Sequence, residues 1–234
     1  MPEKRKPFKS PPKRFQPRGL SVLYEDFDIL VVEKASGLLT VSTDRTRDNT
    51  AYFFLTNYVR KGDPKSKKRL FIVHRLDKDT SGVIVFAKTE TAKRFLQDKW
   101  AGFQKKYFAV VHGTLEEKEG VITSYLAENR AYNMYSVKDP AKGKLAKTGY
   151  KVLKESKKYS LLEIDLLTGR KNQIRVHFSE KGNHVLGDKL YGLKEMGIKR
   201  LSLHAASLTI THPYTKEKMT FDTKLPAYFR SLMQ

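Results

Sequence analysis

From Leu20 onward the chain is written in short runs of β-branched and aromatic residues separated by turn signals, a spacing that restricts the fold to one built on a sheet. Residues 20–24 and 29–33 flank the acidic turn Glu25-Asp26-Phe27-Asp28 and predict a β-hairpin, followed by Ser36-Gly37 as a turn. Runs at 71–73, 83–87, 106–112, 121–126, 148–153 and 160–167 predict further strands, with 201–211 and 218–223 as a last pair. Helices are expected over 49–59, over 171–180 before Gly182, and over 227–233. Another should follow Thr89 as N-cap, with Ala92, Phe95, Leu96, Trp100 and Phe103 forming one apolar stripe. Hairpin spacing outnumbers strand-helix-strand units. The expected class is therefore α+β, a single domain over 19–234 with a mixed, mostly antiparallel central sheet flanked by helices.

Charge narrows the partners. Lys and Arg number 46 against 25 Asp and Glu, a formal net charge of +21, and so large an excess is most simply balanced by a polyanion. Residues 1–18 hold seven basic residues, one acid and five prolines, a mixture that buries too little to order itself and is expected to be a disordered basic arm. It accounts for +6, so +15 remains on the body. No apolar run exceeds about six residues, where a membrane helix needs roughly 18, and no helix pairs a basic face with an apolar one. With no cysteine and no apolar N-terminal segment of the secretory kind, a cytoplasmic chain with no membrane partner is expected.

The densest polar stretch, His74-Arg75-Leu76-Asp77-Lys78-Asp79-Thr80-Ser81-Gly82, lies between two apolar strands. On an extended backbone Arg75, Asp77 and Asp79 point to one side, and a guanidinium beside a carboxylate favours its ionised form, suited to a nucleophile or base. From residue types alone, a reactive site and a buried ion pair bracing a turn are equally good readings. Three other motifs fail. Gly187-Asp188-Lys189-Leu190-Tyr191-Gly192-Leu193-Lys194 has glycines at phosphate-loop spacing but lacks the Gly-Lys-Ser/Thr ending. The six histidines show no zinc spacing. Asp77 and Asp79 are interleaved with Arg and Lys, a field that opposes a bound dication.

The segment from His74 to Gly82 resembles the H-R-L-D-x-x-T-S-G signature of RNA pseudouridine synthases of the RluA type. Further segments agree in order: Glu33-Lys34-Ala35-Ser36-Gly37-Leu38, with Ala35 where Pro is usual; Lys106-Tyr107-Phe108-Ala109-Val110; Gly169-Arg170-Lys171-Asn172-Gln173-Ile174-Arg175-Val176-His177; Leu203-His204-Ala205; and Thr211-His212-Pro213. The resemblance implies a pseudouridine synthase fold. It also implies an enzyme that isomerises specific uridines of structured RNA, ribosomal or transfer, without metal or cofactor. Asp77, Tyr107 and Arg175 map onto its catalytic positions, and Arg75, His74, Arg170, Gln173 and Leu203 onto substrate-binding ones. Asp77 could attack the sugar, attack the base or remove a sugar proton. Lys171-Asn172 replaces a more usual Thr-His and adds a cation near the expected RNA face. A monomer with no obligate protein partner is expected, and about 19 residues before the first strand leave no room for the small RNA-binding domain that many relatives carry. The competing readings are a non-catalytic RNA-binding or ribosome-assembly protein that keeps the fold, and a metal-dependent nuclease.

Overall fold

A computed structural model describes residues 10–12, 16–42, 48–61, 63, 65–193, 198 and 200–234. Eleven strands form one sheet. The first hairpin is β1 (Leu20–Glu25) and β2 (Ile29–Lys34), and its acidic turn closes because Asp26 Oδ1 accepts the backbone N–H groups of Asp28 and Ile29. Then come α1 (Ala51–Arg60), the two-residue β3 (Phe71–Ile72), β4 (Ser81–Ala87) and α2 (Glu90–Lys99). The strands β5 (Gln104–His112), β6 (Glu119–Glu128), β7 (Met134–Val137), β8 (Lys144–Glu155) and β9 (Tyr159–Leu166) precede α3 (Gln173–Glu180), and β10 (Leu203–Thr211), β11 (Lys218–Asp222) and α4 (Ala227–Leu232) end the chain.

The spatial order is β1-β2-β4-β10-β5-β9-β8-β6-β7, with β11 beside β10 and β3 beside β4. Every pairing is antiparallel except β4 with β10, so the sheet is mixed and mostly antiparallel. β2 and β4 are buried on both faces, which explains why they read as continuous apolar runs rather than alternating ones. Leu30, Val32, Ile84 and Phe86 pack toward Leu55 and Val59 of α1, whereas Ile29, Val31, Val83 and Val85 pack toward Ala92 and Leu96 of α2. Further along, Ala109, Val111, Leu162 and Ile164 pack with Ile174 and Phe178 of α3. Thr89 caps α2 as expected, its hydroxyl accepting Ala92 N–H.

Local departures have local causes. β3 stops at Ile72, and residues 73–80 form a loop rather than extended chain, closed by a turn from Thr80 N–H to Asp77 O. α3 starts at Gln173, two residues later than expected, because Asn172 takes a left-handed conformation (φ 53°) that a helix interior excludes. β7 lies in a polar stretch with no strand signal and is built by a hairpin whose tip folds around Asn129, Oδ1 of which accepts the N–H groups of Ala131 and Asn133. Within the segment expected to be a disordered arm, described residues are bonded: Ser10 Oγ donates to Val22 O, and Gln16 Oε1 accepts Val22 N–H. Residues 1–9 and 13–15 lie outside the described residues.

The parallel junction depends on Gly82. Its φ is +115°, and a Cβ there would sit 2.1 Å from Ala205 O and 2.6 Å from Ala205 N, both backbone atoms of β10. Gly82→Ala must strain the backbone or part the two strands, and is expected to cost about 3 kcal/mol or more. That corresponds to a thermal midpoint lowered by roughly 10 °C for a chain of this size; an unchanged melting curve would contradict the packing described.

Candidate active site

The loop between β3 and β4 carries Asp77, and a second segment just after β2 clasps it. Lys34 Nζ donates to Ala35 O (3.0 Å), Leu38 O (2.7 Å) and, across the gap, Lys78 O (3.1 Å). Gly37 N–H also donates to Lys78 O, Ser36 Oγ donates to Asp79 O, and Thr40 Oγ1 donates to Leu76 O while accepting Leu76 N–H. Burial pulls the Lys34 ammonium down to about 8, with the charges of Asp79 and Asp77 opposing the fall. From the other side, His74 Nε2 accepts Val85 N–H and its ring lies 4.1 Å from that of Trp100. Burial, aided by the Lys105 charge, pushes His74 down to about 3, so the ring is neutral.

Arg175, on the first turn of α3, reaches Asp77. Its Nη1 lies 3.3 Å from Asp77 Oδ2 and 3.0 Å from Asn172 Oδ1. The other edge forms a fork with Asp188, Nε to Oδ2 and Nη2 to Oδ1 both at 2.7 Å, the bidentate geometry in which Arg–carboxylate pairs are strongest. Asp188 Oδ1 also accepts the N–H groups of Leu190 and Tyr191. Burial alone would raise the Asp188 carboxyl, but the Arg175 pair and these amides outweigh it and hold it below the ordinary range. Arg175 is itself pulled down by burial, and Asp188 and Asp77 more than reverse that. The guanidinium stays charged and immobile, with Tyr191 under its plane at 5.2 Å.

A cavity of about 520 Å³ opens over this pair, and all eight residues singled out from the sequence line it: His74, Arg75, Asp77, Tyr107, Arg170, Gln173, Arg175 and Leu203. They do not share one kind of surroundings. Tyr107 stands on β5, its hydroxyl pushed above the ordinary range by burial and by the nearby Asp77 charge, so it is a neutral phenol. Leu203 supplies a buried apolar wall. Arg75 and Arg170 are exposed at the rim, Arg170 anchored by Nε to Leu145 O.

Gln173 is only 2% exposed, and its amide is engaged by protein on both ends. Oε1 accepts Thr168 Oγ1 and Arg170 N–H, and Nε2 donates to Lys147 O and Thr148 Oγ1. It shapes the 168–173 turn, much as His74 props the Asp77 loop.

One expectation needs correction. Asp77 and Asp79 do not point to one side: the turn at 77–80 sends Asp79 to the lining of a different cavity. The salt bridge to Asp77 comes from Arg175, 98 residues away and also among the expected catalytic positions. Lys171 lines the cavity, and its Nζ pairs with Glu128 and donates to Tyr132 O. Asp188 lies in the segment whose glycines have phosphate-loop spacing. What that segment does instead is seat a carboxylate behind Arg175, with Gly187 (φ +71°) allowing the chain to pass against Arg200 O, 2.1 Å from where a Cβ would lie.

Residues 28–180 match the family model described as RNA pseudouridylate synthase. This chain belongs to that family. It is 33% identical over 217 residues to the uncharacterized RNA pseudouridine synthase YhcT of Bacillus subtilis, spanning 91% of this chain and 71% of that protein. It is also 33% identical to ribosomal large subunit pseudouridine synthase D of Zymomonas mobilis, over 88% of this chain and 69% of the relative. Among solved structures, human RNA pseudouridylate synthase domain containing 4 superposes with a TM-score of 0.72 at 25% identity, covering 89% of this chain and 90% of that one. The chain is an RNA pseudouridine synthase with the fold of that family. No described helix is long and apolar enough to cross a membrane.

The fork makes Asp188 a positioning residue for the synthase. Asp188→Asn keeps the shape but removes the charge that aims Arg175, and is expected to lower kcat by about 10- to 100-fold with little change in KM. The variant should also lose less stability in acid. A carboxyl depressed in the folded state stabilises above its unfolded value of about 4, and that stability is lost as pH falls through the lower folded value. Equal kcat and equal acid unfolding curves for the two proteins would refute the role.

Proposed function

We propose that this synthase isomerises uridines of large-subunit ribosomal RNA, with Asp77 as the catalytic carboxylate, Arg175 as its charged partner and Tyr107 against the base. The observation that carries the reading is the Asp77–Arg175 pair at 3.3 Å on the floor of a cavity walled by Tyr107 and Leu203. The reaction breaks the N1–C1′ bond and joins C5 to C1′; the proton on C5 leaves and N1 ends protonated. One carboxylate can start it, and nothing else in the balance requires an external group. A uridine must first leave its stack at a cost of a few kcal/mol, and the Tyr107 ring with Leu203 offers replacement contact for the flipped base. Tyr107 is held as a phenol, so in proton transfer at C5 it can serve only as a relay, passing on its own hydroxyl proton as it takes the one from C5. Arg75 and Arg170 at the rim suit the flanking phosphates.

Ribosomal RNA is favoured over transfer RNA by the names of two relatives, the large-subunit synthases D of Zymomonas mobilis and Nitrosomonas europaea. In this reading the protein acts as a monomer in the cytoplasm, without an obligate protein partner. In this reading residues 1–18 are a basic arm that adds sequence-independent affinity, and 19–234 are the catalytic domain.

Mapping pseudouridines in cells with and without the gene tests this. At least one position in large-subunit ribosomal RNA should revert to uridine on deletion. Wild type should restore it and Asp77→Asn should not. Loss confined to transfer RNA would overturn the substrate, and restoration by Asp77→Asn would overturn the catalytic assignment in favour of a non-catalytic RNA-binding protein.

A further inference from the structure

A second cavity, of about 870 Å³, lies behind the Asp77 loop. One stretch of chain faces both cavities: Asp77, Lys78 and Thr80 line the first, and Asp79 and Ser81 the second. A second stretch lines only the second cavity, through Gly187 and Lys189, while Asp188 between them is turned to Arg175. The loop that aims the catalytic pair therefore also forms the wall of a separate compartment.

Four cations line that compartment, Arg18, Lys34, Lys189 and Arg200, against two carboxylates, Glu33 and Asp79. Lys34 is committed to three carbonyl groups. Arg18 and Lys189 are exposed. Arg200 is held by few bonds: Nη2 donates to Ser81 Oγ (3.1 Å), the ring of Tyr228 lies 5.7 Å from its Cζ, and Nε is buried with no acceptor among the described residues. Ser81 Oγ in turn bonds His204 Nδ1, and His204 Nε2 bonds Thr223 Oγ1, both at 2.8 Å. This chain locks the guanidinium from below without neutralising it. Burial first, and the Arg200 charge second, pull His204 down to about 4, so the ring adds no charge. Burial pushes the Glu33 carboxyl up, with Arg200 opposing. The lining keeps an excess of positive charge around a preorganised guanidinium, which is the equipment for a phosphodiester.

We propose that this second cavity is a phosphate subsite for the RNA strand beyond the target uridine, centred on Arg200 and flanked by Arg18 and Lys189. It rests on the reading that the first cavity holds the reacting uridine. A strand leaving that cavity crosses the shared wall of residues 77–81, and a backbone phosphate on the far side meets these three cations. The carboxylates Glu33 and Asp79 are acceptors within reach of the same compartment, matching the 2′-hydroxyl that distinguishes RNA from DNA.

Arg18→Ala with Lys189→Ala removes two exposed cations without touching the bonded Arg200, and Lys151→Ala with Lys154→Ala on the exposed side of β8 is a control of equal charge loss. Binding of large-subunit ribosomal RNA is measured across a salt series for wild type, both pairs, and Arg200→Lys. The subsite pair should weaken binding severalfold and flatten the slope of log Kd against log salt by about one unit per lost contact. Arg200→Lys, which keeps the charge but loses the fork, should weaken binding as well. If the subsite pair matches the control pair in Kd and slope while wild type binds and converts RNA, the subsite is refuted and the proposed function stands. If wild type neither binds nor converts RNA, both fall. Saturation by a mononucleotide as tightly as by RNA would also overturn a site that tracks a strand.

Discussion

Arg175 is gripped from one side so that it can act on the other. The fork to Asp188, buried and itself bonded by two backbone amides, fixes the plane of the guanidinium. What remains of its donor edge is turned to Asn172 and Asp77. Were Arg175 free to swing, the Asp77 carboxylate would lose the ion pair it makes at 3.3 Å, and a second orientation would be open to both. A bidentate pair in a desolvated setting is rigid in a way that a single surface contact is not.

The fold exists around that requirement. Asp77 comes from the loop between β3 and β4, Tyr107 from β5, Arg175 from α3, Asp188 from the loop after it, and Leu203 from β10. The parallel pairing of β4 with β10, held close at Gly82, brings the Asp77 loop beside Leu203. The antiparallel pairing of β10 with β5 then sets Tyr107 opposite Ala205. The clasp from Lys34, Ser36, Gly37 and Thr40 ties the loop to the end of β2. The buried polar groups of this clasp are tolerable because they are hydrogen-bonded, and the same bonds restrict the loop that carries Asp77.

Much of this was legible in the chain itself. The strands were visible because β2 and β4 are buried on both faces and so read as unbroken apolar runs, and the acidic turn of the first hairpin followed from Asp26. The signature around Asp77 and the segment around Arg175 marked residues far apart in the chain that the structure brings together, all eight of them lining one cavity. What the chain hid was who touches whom. Period-2 alternation placed Asp77 with Asp79 and Arg75, and a four-residue turn broke that alternation. Gln173 lines the cavity, and the inward bonds of its amide were not legible because they depend on Lys147 and Thr148 of a distant strand. Asp188 carried no local signal at all, because its meaning lies in a partner 13 residues earlier on a helix. β7 was missed for the same reason: its pairing comes from the hairpin geometry at Asn129 rather than from its own side chains.

The central claim is that Asp188 works only through Arg175, and a double-mutant cycle on the chemical step tests it most directly. Single-turnover release of tritium from RNA labelled at uridine C5 is measured for wild type, Arg175→Lys, Asp188→Asn and the double variant. If Asp188 acts by aiming Arg175, the double variant should be no slower than Arg175→Lys alone, since a missing fork cannot be lost twice. Rate losses that multiply, with the double variant slower by the product of the single effects, would mean that the two residues act independently and that the fork is not what holds the active site together.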